Sequence, residues 1–168
     1  RYDILGNGVP IATLTFPGEF GHNAALKPYP YDLVRARRIL AEEGYAKGFT
    51  LKVLLKVNAA RTGQILAKQL ESLGVKLEST LVADAELFVF LKDRNQWDIA
   101  IYDCPDPMLH AFFIRSIFLA GDSPFSLSRI AGIAARLGRM VAALDSEEQR
   151  RISEEMDAYI HDEFLAMP

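Results

Sequence analysis

The chain has 168 residues, half of them hydrophobic and about a quarter charged, which is the composition of a globular domain able to bury a sizeable core. Its 19 basic residues are interspersed with 22 acidic ones for a net charge of −3, so there is no one-sided basic footprint for nucleic acid. Cys104 is the single cysteine; this excludes an internal disulfide and a multi-cysteine metal site, and no apolar run approaches the roughly 18 residues of a membrane helix.

Residues 1–30 carry Gly6, Gly8, Pro10, Pro17, Gly18, Pro28 and Pro30. This spacing predicts an extended, turn-rich segment with a short strand over Ile11–Phe16. The chain starts on Arg1, and its last five residues, Phe164 to Pro168, are mostly apolar; both ends read as cuts in a longer chain. Asp32 is a good N-cap for a helix over Leu33–Glu43, which Gly44 stops. Phe49–Val57 alternates as a strand, with Phe49, Leu51, Val53 and Leu55 on one face. A second helix over Arg61–Leu73 ends at Gly74, and a second strand covers Val75–Val82. Asp84 is expected to cap a short helix running to Leu91, and the apolar run Trp97–Asp103 reads as a buried third strand. Strands separated by helices imply βαβ units and parallel pairing. The fold class is therefore α/β, a mixed and mainly parallel sheet with flanking helices. Beyond Asp103 the pattern turns helical: Met108–Leu119, Ile130–Leu144, and a last helix capped by Asp145 or Ser146 and reaching Phe164. Ile152, Met156, Tyr159, Ile160 and Phe164 form the apolar stripe of that last helix.

No catalytic constellation of familiar spacing is present. Gly6-Asn7-Gly8 lacks the third glycine of a dinucleotide fingerprint and is followed by Val9-Pro10 where a helix should start. His22, His110 and His161 sit at no metal-ligand spacing with one another, and no Gly-x-Ser-x-Gly elbow occurs. Neither a cofactor nor a metal is predicted. The segment that stands out is Tyr102-Asp103-Cys104-Pro105-Asp106-Pro107, directly after a buried strand. In open α/β sheets, ligands bind beyond the carboxyl ends of the strands. Asp103 and Asp106 are thus candidates for polar contact with a solute, and Tyr102, Met108 and His110 for lining the same cleft. An alternative reading is a proline-stiffened turn whose aspartates cap the next helix. An enzyme domain with a pocket at these strand ends would have Asp103 with His110 as its acid/base pair.

Several stretches taken together carry a resemblance. Pro28-Tyr29-Pro30-Tyr31-Asp32, Ile39 to Tyr45 and Gly48-Phe49-Thr50-Leu51 resemble the run that precedes a strand in extracytoplasmic solute-binding proteins of ABC importers, of the peptide/nickel type. Ile65–Gly74 followed by Val75 resembles the family's helix-Gly-strand unit, Trp97-Asp98-Ile99-Ala100 its WD-x-A strand, and Pro105-Asp106-Pro107 its DYPDP loop. Leu33-Val34 departs from the family's Pro-Glu, and Tyr102–Pro107 is shorter than the family's usual stretch. The resemblance implies one lobe of a two-lobed periplasmic-binding-protein-like fold that closes on a solute by hinge motion. Residues 1–30 would be an extended lead-in from the hinge or other lobe, and residues 31–168 the ligand-binding lobe. It further implies a binding protein and not an enzyme, a periplasmic or otherwise extracytoplasmic location, and a small solute such as a peptide, with a nickel chelate, haem or an oligosaccharide also open. ABC permease subunits and the first lobe of the same chain would be its partners. Asp103 or Asp106 would take the place of the family's aspartate that holds a peptide amino terminus.

Overall fold

The computed structural model describes residues 8–101, 110–126 and 130–168. They form two compact units, one from residues 30–101 and the other from residues 8–29 together with 110–168.

In the first unit, helix α1 (Leu33–Glu42) starts where the Asp32 carboxylate accepts the Arg35 amide at 2.9 Å, the cap read from the sequence. Strand β1 (Phe49–Lys56), helix α2 (Ala60–Glu71) and strand β2 (Val75–Val82) make one βαβ unit, and helix α3 (Leu87–Lys92) leads to strand β3 (Ile99–Ile101). The sheet order is β2-β1-β3, with both pairings parallel. Because β1 is central, Val53, Leu54 and Leu55 are all buried, although strict alternation would expose Leu54. Helix α2 covers the Val53–Leu55 face so closely that a Cβ on Gly63 would lie 2.7 Å from Leu55 Cδ1. Leu51, Leu77, Ile99 and Ile101 complete this cluster.

Two expectations are corrected here. Strand β3 starts at Ile99 and not at Trp97, because the two preceding side chains are engaged as anchors. The Trp97 indole N–H donates to the Phe90 carbonyl at 3.0 Å, satisfying one of the orphan acceptors at the end of α3. Asp98 brackets Lys52: its amide donates to the Lys52 carbonyl at 2.9 Å, and its carboxylate accepts the Lys52 amide at 2.8 Å. Asp84 does not cap α3. That helix begins three residues later, Glu86 accepts the Ala83 amide at 3.3 Å, and Asp84 pairs with Lys56 at 3.2 Å.

The second unit contains α4 (Ala111–Phe118), α5 (Ala131–Ala142) and α6 (Ser146–Asp162). Asp145 caps α6 by accepting the Glu148 amide at 2.9 Å, and Glu147 and Glu148 suit the positive end of its dipole. Ile152, Met156 and Ile160 pack with Leu119, Ile133, Leu137 and Met140 in the core of this unit. Helix α6 stops at Asp162, short of the expected Phe164, which adopts a φ of 52°.

No strand forms over Ile11–Phe16; the backbone bends from Ala12 to Thr15. The reason lies in the threonines. Their hydroxyls bond each other at 2.8 Å, and Thr13 Oγ1 accepts the Thr15 amide at 3.3 Å, so side chains take groups that a ladder would use. Thr15 then donates to Asp157 Oδ2 at 2.8 Å, and the Asn23 amide donates to the same oxygen at 3.0 Å. Arg115 donates to Asp157 Oδ1 and to Ser153 Oγ, each at 2.5 Å, and Ser153 donates to the Gly21 carbonyl at 3.0 Å. Arg115, Ser153 and Asp157 are each 0% exposed. Burial pulls the Arg115 guanidinium below its ordinary pKa, while Asp157 pulls the other way. The segment over residues 8–29 is therefore clipped to α4 and α6 by a buried polar network, whose burial is offset by these charge-assisted bonds, although Arg115 Nε is left without a hydrogen-bond partner among the described residues.

Candidate functional site

The order β2-β1-β3 places a topological switch between β1 and β3, since the chain leaves β1 toward β2 and returns to the opposite side. The crevice at such a point, outside the strand carboxyl ends, is where ligands of open α/β sheets bind. The β1 end carries Lys56, ion-paired to Asp84 at 3.2 Å, with the lysine side chain only 12% exposed. Strand β3 ends at Ile101, one residue before the segment singled out in the sequence. Tyr102, Asp103, Asp106 and Met108 lie outside the described residues. The Asp103–His110 pair is accordingly not placed.

His110 is described, and its surroundings are specific. It is the N-cap of α4, with φ −139° and ψ 120°, and its Nδ1 accepts the Phe112 amide at 3.1 Å. Its ring stacks on Phe20, with centroids 5.1 Å apart and planes 24° from parallel, and a parallel bridge joins the two backbones. The Arg150 guanidinium lies 5.1 Å from the Phe20 ring centroid, within cation–π range, and also meets Glu147 at 3.6 Å. Phe20 and Arg150 were not foreseen. They sit 90 and 40 positions from His110 in the chain, and no motif joins them.

Two of the open hollows formed by the described residues have mixed polar and apolar linings. One of about 480 Å³ is lined by Arg139, Leu144, Asp145, Glu148 and Ile152 with neighbouring alanines. The other, of about 580 Å³, is lined by Lys52, Glu78, Ser79, Thr80, Gln96 and Trp97. Neither involves His110. No group of three or more His, Cys, Asp or Glu side chains able to hold a metal ion exists among the described residues, and no helix among them is long and apolar enough to cross a membrane.

A parallel βαβ sheet in one unit and a helical unit built on α4–α6 give an α/β fold that is similar to about a third of the chain of two-lobed periplasmic binding proteins. Among solved structures, the chain is similar to the periplasmic binding protein DppA of Helicobacter pylori in complex with the peptide STSA. That likeness has a TM-score of 0.73 and 19% identity, over 95% of this chain and 33% of that one. It is similar also to NikA of Brucella suis in complex with Fe(III)-EDTA, with a TM-score of 0.80 and 16% identity over 96% of this chain and 36% of that one. In sequence it is 35% identical over 88 residues to the glutathione-binding protein GsiB of Escherichia coli (strain K12), a match covering 51% of this chain and 17% of that protein. No family model matches the sequence. The chain thus spans about a third of the solved chains it resembles, and the fold class and family resemblance read from the sequence stand on both comparisons.

Proposed function

We propose that this chain contributes the second lobe of the substrate-binding component of an ABC-type uptake system, which holds a peptide or similar small solute between two lobes and delivers it to the permease. The observation that carries this reading is the 35% identity to a glutathione-binding protein, joined to a fold shared with peptide- and nickel-type binding proteins. GsiB and DppA are, by name, binding proteins, which supports a binding role for this chain in place of an enzymatic one. In this reading residues 31–168 serve as the ligand-binding lobe and residues 1–30 as its lead-in, the other lobe of the same protein supplies the facing half of the cleft, and the protein works outside the cytoplasm beside ABC permease subunits. Tyr102, Asp103, Asp106, Met108 and His110 contact the solute, with one of the two aspartates available to a peptide's amino group. Closure follows from tighter solute binding to the closed form than to the open one. The test is calorimetric titration of the full-length protein with reduced glutathione, a tripeptide and a nickel–histidine chelate. Saturable 1:1 binding of one of these is expected, and no binding of any of them would sink the reading.

A further inference from the structure

The hydrogen bonding of His110 decides what kind of group it offers. The Phe112 amide donates to Nδ1 at 3.1 Å, so Nδ1 carries a lone pair and no proton. A neutral imidazole then has its single N–H on Nε2. The two ring nitrogens flank Cε1 and point to different sides, so with Nδ1 turned to the first turn of α4, Nε2–H is directed away from it. Among the described residues Nε2 meets no partner. Stacking on Phe20, which itself carries Arg150 on its ring, holds the plane of the imidazole. A half-turn that keeps this plane would put Cδ2 where Nδ1 now accepts the Phe112 amide, so the cap fixes which way round the ring sits.

This assignment has a chemical consequence. To ligate a metal, Nε2 must present a lone pair, and metal-bound imidazoles normally donate their other N–H to an acceptor. Here the other nitrogen accepts, so metal ligation through Nε2 requires the helix cap to be broken. A hydrogen-bond acceptor on a solute meets no such obstacle. We propose that His110 is a locked Nε2–H donor that recognises an acceptor oxygen, carbonyl or carboxylate, on the bound solute, and that Phe20 and Arg150 are the positioning residues that hold its ring. The inference rests on the solute-binding reading above and narrows it to oxygen-bearing organic solutes, with a metal centre not held through this residue.

The test has two arms. In the first, ¹⁵N-histidine-labelled full-length protein is studied by long-range ¹H–¹⁵N correlation NMR without solute. His110 is expected to show a protonated Nε2 and a lone-pair Nδ1; a protonated Nδ1 overturns the proposal, whatever the protein binds. In the second, reduced glutathione is titrated into wild-type, His110→Asn and His110→Ala proteins. Asparagine keeps an N-cap acceptor but places no donor at the Nε2 position. His110→Asn is expected to weaken binding about tenfold, the worth of one hydrogen bond, and to lower the melting temperature less than His110→Ala, because asparagine loses the Phe20 stack but keeps the cap. Unchanged affinity of His110→Asn, in a protein that does bind glutathione, overturns the role of His110 and leaves the uptake reading standing. Failure of wild-type protein to bind glutathione, tripeptide or nickel chelate overturns the uptake reading, and the recognition role with it.

Discussion

Gly48 and Gly74 touch where β1 and β2 begin: a Cβ on Gly48 would lie 2.0 Å from the Gly74 carbonyl oxygen, and both residues adopt a φ near 80°. The pairs that follow them, Phe49 with Val75 and onward, set the register of the whole ladder. Close backbone approach and left-handed φ both require glycine here. Gly48→Ala is expected to cost at least about 3 kcal/mol, combining the left-handed penalty with a backbone clash that no rotamer relieves. Gly74→Ala, whose Cβ would meet nothing nearer than 3.2 Å, should cost about 1–2 kcal/mol. Urea midpoints of the two variants check the order.

Gly138 should behave in the opposite way. It is exposed on α5, its φ is not in the left-handed region, and a Cβ there meets nothing within 4 Å. Gly138→Ala is expected to stabilise by about 0.5–1 kcal/mol through helix propensity alone. A lowered thermal midpoint would refute this.

The buried Arg115–Asp157 pair should be far more sensitive to losing one partner than both. Asp157→Ala strands a guanidinium that is 0% exposed, and a loss of about 3–5 kcal/mol is expected. Arg115→Met with Asp157→Leu should recover a large part of that loss, since apolar replacements leave no uncompensated charge. If the double variant proves as unstable as the single one by chemical denaturation, the pair is not what sets the cost.

Tyr29 gives the unit built from residues 8–29 and 110–168 an alkaline limit. Its hydroxyl donates to the His161 carbonyl at 2.8 Å, and its ring stacks on His161 at 4.4 Å. Burial first, and then the charge of Asp162, raise the phenol above its ordinary 10.0. A folded-state pKa above the unfolded one means that this group's contribution is intact below pH 10 and is lost as pH rises through the raised value. Tyr29→Phe should therefore cost about 1 kcal/mol at neutral pH yet lose less stability than wild type between pH 10 and 12. Denaturation curves for the two proteins that stay parallel across that range would contradict it.

Asp98 should anchor β3. Its carboxylate accepts the Lys52 amide, so Asp98→Ala is expected to cost about 1 kcal/mol and to speed hydrogen exchange at Lys52 more than at Val75. Equal acceleration at the two amides would point to global loosening instead.

Much of the fold could be read from local chemistry. Asp32 and Asp145 announce their helices because a carboxylate three residues before a free amide is a local arrangement. The order of strands and helices from Leu33 to Ile101 follows from periodicity. The WD pair gains a physical reason, since the indole and the carboxylate each satisfy a backbone group elsewhere in the unit. The segment over Ile11–Phe16 was misjudged because its alternation could not reveal that Thr15 finds Asp157 across 142 positions. Arg115 was equally hidden: within Ala111–Phe118 it is the one charged position and looks solvated, yet it is fully buried. The candidate site was legible only as a place, beyond the end of a buried strand. His110 could be named from the sequence, but its tautomer and its Phe20–Arg150 support depend on contacts far apart in the chain.

The Asp157 clasp also imposes an order on synthesis. Thr15 and Asn23 are made more than 130 residues before the carboxylate that receives them, so during translation the early segment has no fixed seat. The βαβ ladder of residues 49–82, whose partners are close in sequence, can assemble on the ribosome meanwhile. Of these two pieces the one made earlier is secured later, and a ribosome stalled before α6 would carry a paired β1–β2 ladder and an unclasped strap.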